Sequence, residues 1–168
     1  MKHLKTCIVI SLDGFIARKD GDLNWMPGNI KKEISAAYEI PSVFIAGVNT
    51  YNMIFRNWGG WPYKSKKTFV VSHYDTNVTR KDNVTFLTDV PLRAINELKS
   101  SSETDIQVIG GGKFITSLIE ASLLDEITLY IVPVMLGDGI KFIGKTFGSK
   151  WELTGHRVRS EERRVGKE

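Results

Sequence analysis

The chain has 168 residues, 42% hydrophobic and 25% charged, with five Pro, fifteen Gly and a single Cys. This is the composition of one ordinary globular domain able to bury a real core, and it excludes a collagen, a disordered chain and a disulfide scaffold. Twenty-three basic against nineteen acidic side chains leave a net charge of +4, too small an excess to argue for nucleic acid, and no apolar run approaches the roughly 18 residues of a membrane helix.

In chain order, the apolar segment over residues 4–10, broken by Ser11 and Asp13, reads as a strand rather than a signal peptide. Cys7 lies inside it and reads as a buried structural thiol in a reducing cytoplasm. Ile30, Ile34, Ala37 and Tyr38 share one helical face ahead of Pro41. A strand over 42–46 leads into a helix over 49–55, and strands follow at 67–71 and 84–87. A helix over 90–98 carries Leu92, Ile95 and Leu98, and the strand 106–109 precedes a helix over 113–121 with Phe114, Ile115, Leu118 and Ile119 inward. The last strand of this alternation covers 126–132. Strands alternating with helices predict an α/β fold with a mostly parallel sheet and helices on both faces.

Beyond residue 132 no helix intervenes. Trp151, Leu153 and Val158 alternate as in a half-buried strand, so an antiparallel strand over 151–158 is expected to make the sheet mixed. No linker or repeat divides residues 1–158, which form the expected domain. Residues 159–168 are the string that a common sequencing adapter encodes when read in frame, and they are expected to be a non-native tail. Val165 is their only apolar residue, so the tail would leave an unpaired strand edge.

Three strand-to-helix junctions carry chemistry. Ile109 runs into Gly110, Gly111 and Gly112, which bring bare amides and a helix N-terminus to one point, a combination suited to a phosphate or equally to a tight turn. Gly47 precedes Asn49 and Thr50, either of which can cap the helix or meet an anion. Ser72 and His73 follow the strand 67–71. Ligand crevices in open α/β sheets lie at such carboxyl ends.

The order of motifs resembles a known family. The pieces are Ser11-Leu12-Asp13-Gly14-Phe15-Ile16-Ala17, Gly21-Asp22-Leu23-Asn24-Trp25, Gly47-Val48-Asn49-Thr50-Tyr51, Val108-Ile109-Gly110-Gly111-Gly112, and Leu124-Asp125-Glu126 with Leu129 through Gly139. Together they resemble the dihydrofolate reductase fold over about residues 4–158. They are more similar still to the reductase domain that forms the C-terminal half of bacterial riboflavin-biosynthesis deaminase-reductases, and to its stand-alone relatives. The resemblance implies a three-layer sandwich and an NADPH-dependent reductase acting on a small molecule. The first activity implied is that of a 5-amino-6-(5-phosphoribosylamino)uracil reductase. The alternatives are a dihydrofolate reductase and, from another class, a non-catalytic nicotinamide-nucleotide-binding protein.

By the same resemblance Val9, Ser11 and Ile16 would line the nicotinamide, and Ser72 would meet the adenosine side. Gly47 and Thr50 would meet the pyrophosphate from one wall, and Gly110, Gly111 and Gly112 from the other, with Gly111 the most sensitive position. Residues 17–25 would form a lid anchored by Trp25, and a homodimer through the sheet edge is expected.

Two departures from the family pattern stand out. Val48 occupies a position that usually carries Arg, which leaves Lys64, Lys66, Lys67, His73, Arg80 and Lys81 as candidate cations for a 2′-phosphate. The acid that dihydrofolate reductases place on the first helix would fall at Ile30 or Lys31, neither a carboxylate. Asp13, Trp25 and Glu33 remain as catalytic candidates, and Lys31, Lys32 and Lys113 as partners for a substrate phosphate. His3, His73 and His156 are too scattered for a metal site, and the deaminase zinc motif is missing.

Overall fold

A computed structural model describes residues 1–72, 83–87, 91–144 and 148–158. In chain order the elements are β1 (Leu4–Ser11), β2 (Phe15–Ala17), α1 (Gly28–Glu39), β3 (Val43–Gly47), α2 (Val48–Asn57), β4 (Lys67–Val71), β5 (Val84–Leu87), α3 (Pro91–Ser101), β6 (Ile106–Ile109), α4 (Gly112–Glu120), β7 (Glu126–Val132) and β8 (Ile140–Lys141). Six strands make one sheet in the order β5-β4-β3-β6-β1-β7, with parallel ladders between neighbours. The α/β class expected from the alternation is therefore correct.

Alternating side chains of the buried strands supply two cores. On one face Phe44, Ala46 and Val70 pack with Tyr51 and Ile54 of α2 and with Tyr38 of α1. On the other, Ile45, Phe69, Ile106 and Val108 pack with Ile95 of α3 and with Ile115 and Leu118 of α4. Strand order explains the division: α1 and α2 carry the chain one way across the sheet and α3 and α4 carry it back, so right-handed crossovers place the pairs on opposite faces. The result is the three-layer sandwich. No helix among the described residues is long and apolar enough to cross a membrane.

Helix ends follow local chemistry. The helix α1 stops just before Pro41, which has no N–H to continue the helical ladder, although Ile40 ahead of it still keeps helical dihedrals. At the end of α4, Ser122 takes φ 55° and the amides of Leu123 and Ser122 donate to the carbonyls of Leu118 and Ile119, a Schellman closure made without glycine.

At the amino end of the sheet an ion pair between a buried lysine and a partly exposed carboxylate joins three segments. Lys99 Nζ lies 2.6 Å from Asp125 Oδ2 and donates to the Leu123 carbonyl. The Leu4 amide donates to the same carboxylate at 2.7 Å, while the Asp125 amide donates back to the Leu4 carbonyl. Next to it, the Asp105 and Glu126 carboxylates hold the Lys5 ammonium above the ordinary lysine value, and the His3 amide followed by Lys5 holds Asp105 below its usual range. Cys7 is partly rather than fully buried, and burial pushes its thiol up.

Two expectations are corrected. Residues 151–158 form no strand: they are irregular and exposed, with Leu153 79% and Val158 85% accessible. Period-two alternation becomes a strand only where a ladder receives it, and none does so here among the described residues. The antiparallel element lies elsewhere, in the separate β2–β8 pair. Residues 159–168, the expected foreign tail, lie outside the described residues.

Lys99→Ala strips the partner from a carboxylate that is one-third exposed and keeps the Leu4 amide, and it should cost about 1 kcal/mol. Urea denaturation is expected to show a lower midpoint at unchanged slope, and a wild-type midpoint would show the pair to be dispensable.

Candidate functional site

The strands end at different heights, and this makes a crevice. Register pairs Ala46 with Ile109 and Thr6 with Val108, so β3 and β6 finish nearly level while β1 continues to Ser11. The β6-facing side of Val9–Ser11 has no ladder partner among the described residues, because the chain after Ile109 has already turned into α4. Adjacent β3 and β6 then feed helices on opposite faces, which is a topological switch point.

The glycine junctions meet in this crevice. The Gly111 amide donates to Thr50 Oγ1 at 2.8 Å, tying the first turn of α2 to the start of α4. Both helices begin without a side-chain cap, at Gly47 and Gly111, and neither has an acid in its first turn. The expected capping role of Asn49 or Thr50 is thus corrected: Asn49 is exposed, and Thr50 reaches across the crevice instead. Phe114 packs into the space left by two glycines, since a Cβ on Gly47 or Gly110 would lie 3.0 or 3.2 Å from its side chain.

The three glycines serve close approach, not unusual dihedrals. None of Gly110, Gly111 and Gly112 has positive φ, and Gly111 sits at φ −78°. At Gly111, expected to be the most sensitive position for the cofactor, a Cβ meets only Thr50 Oγ1, at 3.1 Å. A Cβ on Gly112 would overlap the backbone carbonyl oxygens of Lys141 and Phe142. The tightest enclosure is therefore at Gly112.

On the β1 side, Ser11 is buried, and its hydroxyl donates to Asp13 Oδ1 at 2.6 Å while accepting the Phe15 amide at 2.9 Å. The Asp13 carboxylate also accepts the Leu136 and Gly137 amides, and Ser11 first, then these amides, hold its carboxyl below the usual range. Held ionised, Asp13 has no proton to give at neutral pH. Residues 17–25, the expected lid, fold back through Arg18 and Asp22, pass close enough to α2 that a Cβ on Gly21 would lie 3.0 Å from Met53 Sδ, and are joined to the loop after β7 by the Lys19–Asp138 pair. Trp25 is partly buried, and its indole N–H is shielded from solvent with no acceptor among the described residues.

The other candidates are spread out. Val9 is buried on β1, Ile16 packs against the α3/α4 core, and Ser72 is buried at the carboxyl end of β4, its amide donating to Leu87. Lys31 and Lys32 are exposed on the first turns of α1, Glu33 is partly buried beside them, and Lys113 is exposed at the start of α4. Lys64, Lys66 and Lys67 fall at the amino end of β4, roughly 13 Å of strand away from the crevice edge, and so are removed as cations for the site. Lys66 instead donates to the Glu39 carbonyl. Val48 packs into the aromatic core on the α2 face. His73, Arg80 and Lys81 lie outside the described residues. Sequence reasoning missed Phe114 as a site residue and gave no role to residues 134–142, although Gly137 and Gly139 marked that segment.

Comparison with known proteins places this geometry among relatives. The family model of the RibD C-terminal domain matches residues 2–163. Two uncharacterized proteins of Bacillus subtilis (strain 168), YwjB and YyaP, are each 27% identical, over 136 and 147 residues; each alignment covers 79% of this chain, and 78% and 75% of the respective relative. A Shewanella sp. PV-4 protein assigned by name to riboflavin biosynthesis superposes with a TM-score of 0.74 at 28% identity, covering 88% of this chain and 86% of its own. Enterococcus faecalis dihydrofolate reductase, solved with NADP(H), gives a TM-score of 0.63 at 16% identity over 84% of this chain and 79% of that one. The Thermotoga maritima deaminase/5-amino-6-(5-phosphoribosylamino)uracil reductase gives 0.66 at 15% identity, covering 88% of this chain and 49% of that longer one. At those identities the last two establish the fold alone.

Gly112→Ala should destabilise the chain by about 2 kcal/mol through overpacking against backbone, whereas Gly111→Ala should stay within about 1 kcal/mol. Thermal melts of the two variants check the ranking, and equal shifts would contradict it.

Proposed function

The chain belongs to the RibD C-terminal domain family, and from that premise we propose that it is a nicotinamide-dependent reductase whose acceptor is 5-amino-6-(5-phosphoribosylamino)uracil. The observation that carries the reading is the Thr50–Gly111 bond, which brings two uncapped helix N-termini together over the end of a short central strand. Such termini present unpaired amides and partial positive charge, and glycines leave room for a diphosphate to approach the backbone.

NADPH fits this donor set. Gly47, Thr50 and Gly110 to Gly112 would hold its pyrophosphate, Val9, Ser11 and Ile16 its nicotinamide, and Ser72 its adenosine side. When bound it supplies a hydride, and the protein supplies orientation and exclusion of water. Ser11, fixed at both its donor and its acceptor, makes a rigid wall, and the lid residues 17–25 close over it. Lys31, Lys32 and Lys113 are the cations proposed for the phosphate of the acceptor.

The dihydrofolate alternative lacks its carboxylate, since Ile30 and Lys31 stand at the expected positions. A non-catalytic nucleotide-binding protein draws support from Val48, whose apolar packing replaces a cation for the cofactor phosphates. A cytoplasmic setting accords with the lone Cys7. The proposed partner is a second copy of the chain, against the outer edge of β7, where Leu129 and Ile131 are 44% and 60% exposed and Trp151 and Leu153 line the same hollow as Leu129. Light scattering should return twice the chain mass, and a monomer at assay concentration would contradict this assembly.

Titration should show NADPH binding through nicotinamide fluorescence, followed by loss of reduced-nicotinamide absorbance when the pyrimidine is added. Gly111→Val should weaken binding by about tenfold, equivalent to ~1.4 kcal/mol. Binding without turnover on either the pyrimidine or dihydrofolate would favour the non-catalytic protein, and no binding would end both readings.

A further inference from the structure

Asp13 does more than close its own turn. Its Oδ1 accepts the Ser11 hydroxyl at 2.6 Å and the Leu136 amide at 3.2 Å, and its Oδ2 accepts the Gly137 amide at 2.7 Å. One carboxylate thus clasps segments more than 120 residues apart in sequence. The Ser11 hydroxyl passes the constraint on, because it accepts the Phe15 amide at the start of β2.

The segment that Asp13 grips runs from the lid to the glycine cradle. Val134 accepts the Leu12 amide, β8 pairs with β2, and the Phe142 amide donates to the Gly14 carbonyl. Gly139, at φ 154°, passes so near β2 that a Cβ would overlap the Ala17 carbonyl oxygen. The carbonyls of Lys141 and Phe142 then press against Gly112 at the first turn of α4. Residues 134–142 are a strap with the lid base under one end and the cradle at the other.

We propose that Asp13 is a positioning residue that sets the lid base and Ser11 against the glycine cradle, fixing the relation between the nicotinamide wall and the pyrophosphate wall. The proposal rests on the reductase reading above. Asp13 transfers no proton and touches no reacting atom. Its carboxylate keeps three donors aligned, and small misplacement of a hydride-transfer geometry is costly: about 1 Å can lose on the order of a hundredfold in rate.

The test compares Asp13→Asn with Ser11→Ala in the full chain. In Asp13→Asn one end of the side chain becomes a donor, so whichever way the amide turns at least one of the Leu136 and Gly137 amides loses its acceptor, which loosens the strap while size and shape are kept. The expected result is a kcat lower by about tenfold or more, NADPH affinity within about threefold of wild type, a melting temperature nearly unchanged, and faster hydrogen exchange at Leu136, Gly137 or both. Ser11→Ala cuts the relay to Phe15 but leaves the strap bonds, so kcat should fall with exchange at Leu136 and Gly137 unaltered. The double variant should be no worse than Asp13→Asn. Unchanged kcat and exchange in Asp13→Asn would overturn the proposal, as would a kcat loss that only tracks lost stability and lost cofactor affinity. Should Asp13→Asn fail to fold, Ser11→Ala decides alone: unchanged kcat counts against the relay. A wild-type chain that oxidises no NADPH with the pyrimidine defeats the reductase reading itself, and that failure is visible before any substitution is made.

Discussion

The short strand β6 governs much of this molecule. It has four residues between the eight of β1 and the five of β3, and where it stops its neighbour β1 carries on. Backbone at the end of a buried strand must find new partners or meet water. Here the vacated edge becomes a crevice, floored by Gly110 to Gly112 and walled by Val9 to Ser11. A longer β6 would fill that space with ladder and move the start of α4 away from Thr50.

Around this crevice the chain uses glycine in two physically different ways. Gly21 and Gly137 take φ near +80°, where a side chain is strained, and they shape turns in the lid and the strap. Gly47, Gly110, Gly111 and Gly112 have ordinary backbone and are needed for the room they leave to Phe114, Thr50 and the 141–142 carbonyls. At the other end of the sheet the Lys99–Asp125 pair and the Leu4 amide tie α3, β1 and the entry to β7 together. The proposed site and this anchor thus lie at opposite ends of the same strands.

The sheet was legible because its strands are short β-branched runs separated by amphipathic helices, and those two periods are local properties of sequence. The glycine junctions were legible as a set because parallel strands put all their carboxyl ends on one side. What escaped was non-local. Thr50 offers the same hydroxyl to its own helix or to an amide 61 positions away, and only the strand order decides which. Lys64, Lys66 and Lys67 looked available until strand direction put them at the far end of β4. The alternation of Trp151, Leu153 and Val158 imitates a strand, but alternation describes a face and does not supply a neighbour to pair with. The lid strap was missed because its logic lies in carbonyl oxygens, which every residue carries alike.

The pairing of β1 has a consequence for how the polypeptide acquires its shape. Both ladder partners of this strand, β6 and β7, come from the last third of the described elements, and the Leu4 amide waits for a carboxylate 121 positions downstream. During synthesis β3 and β4 can pair soon after they emerge, while the apolar run Cys7-Ile8-Val9-Ile10 has no ladder to join until some hundred further residues are made. Closing loops of that size is slow and leaves a sticky segment uncovered meanwhile. β1 leaves the ribosome well before either of its ladder partners, so it is completed late, and its apolar run is uncovered in the nascent chain rather than in the finished fold.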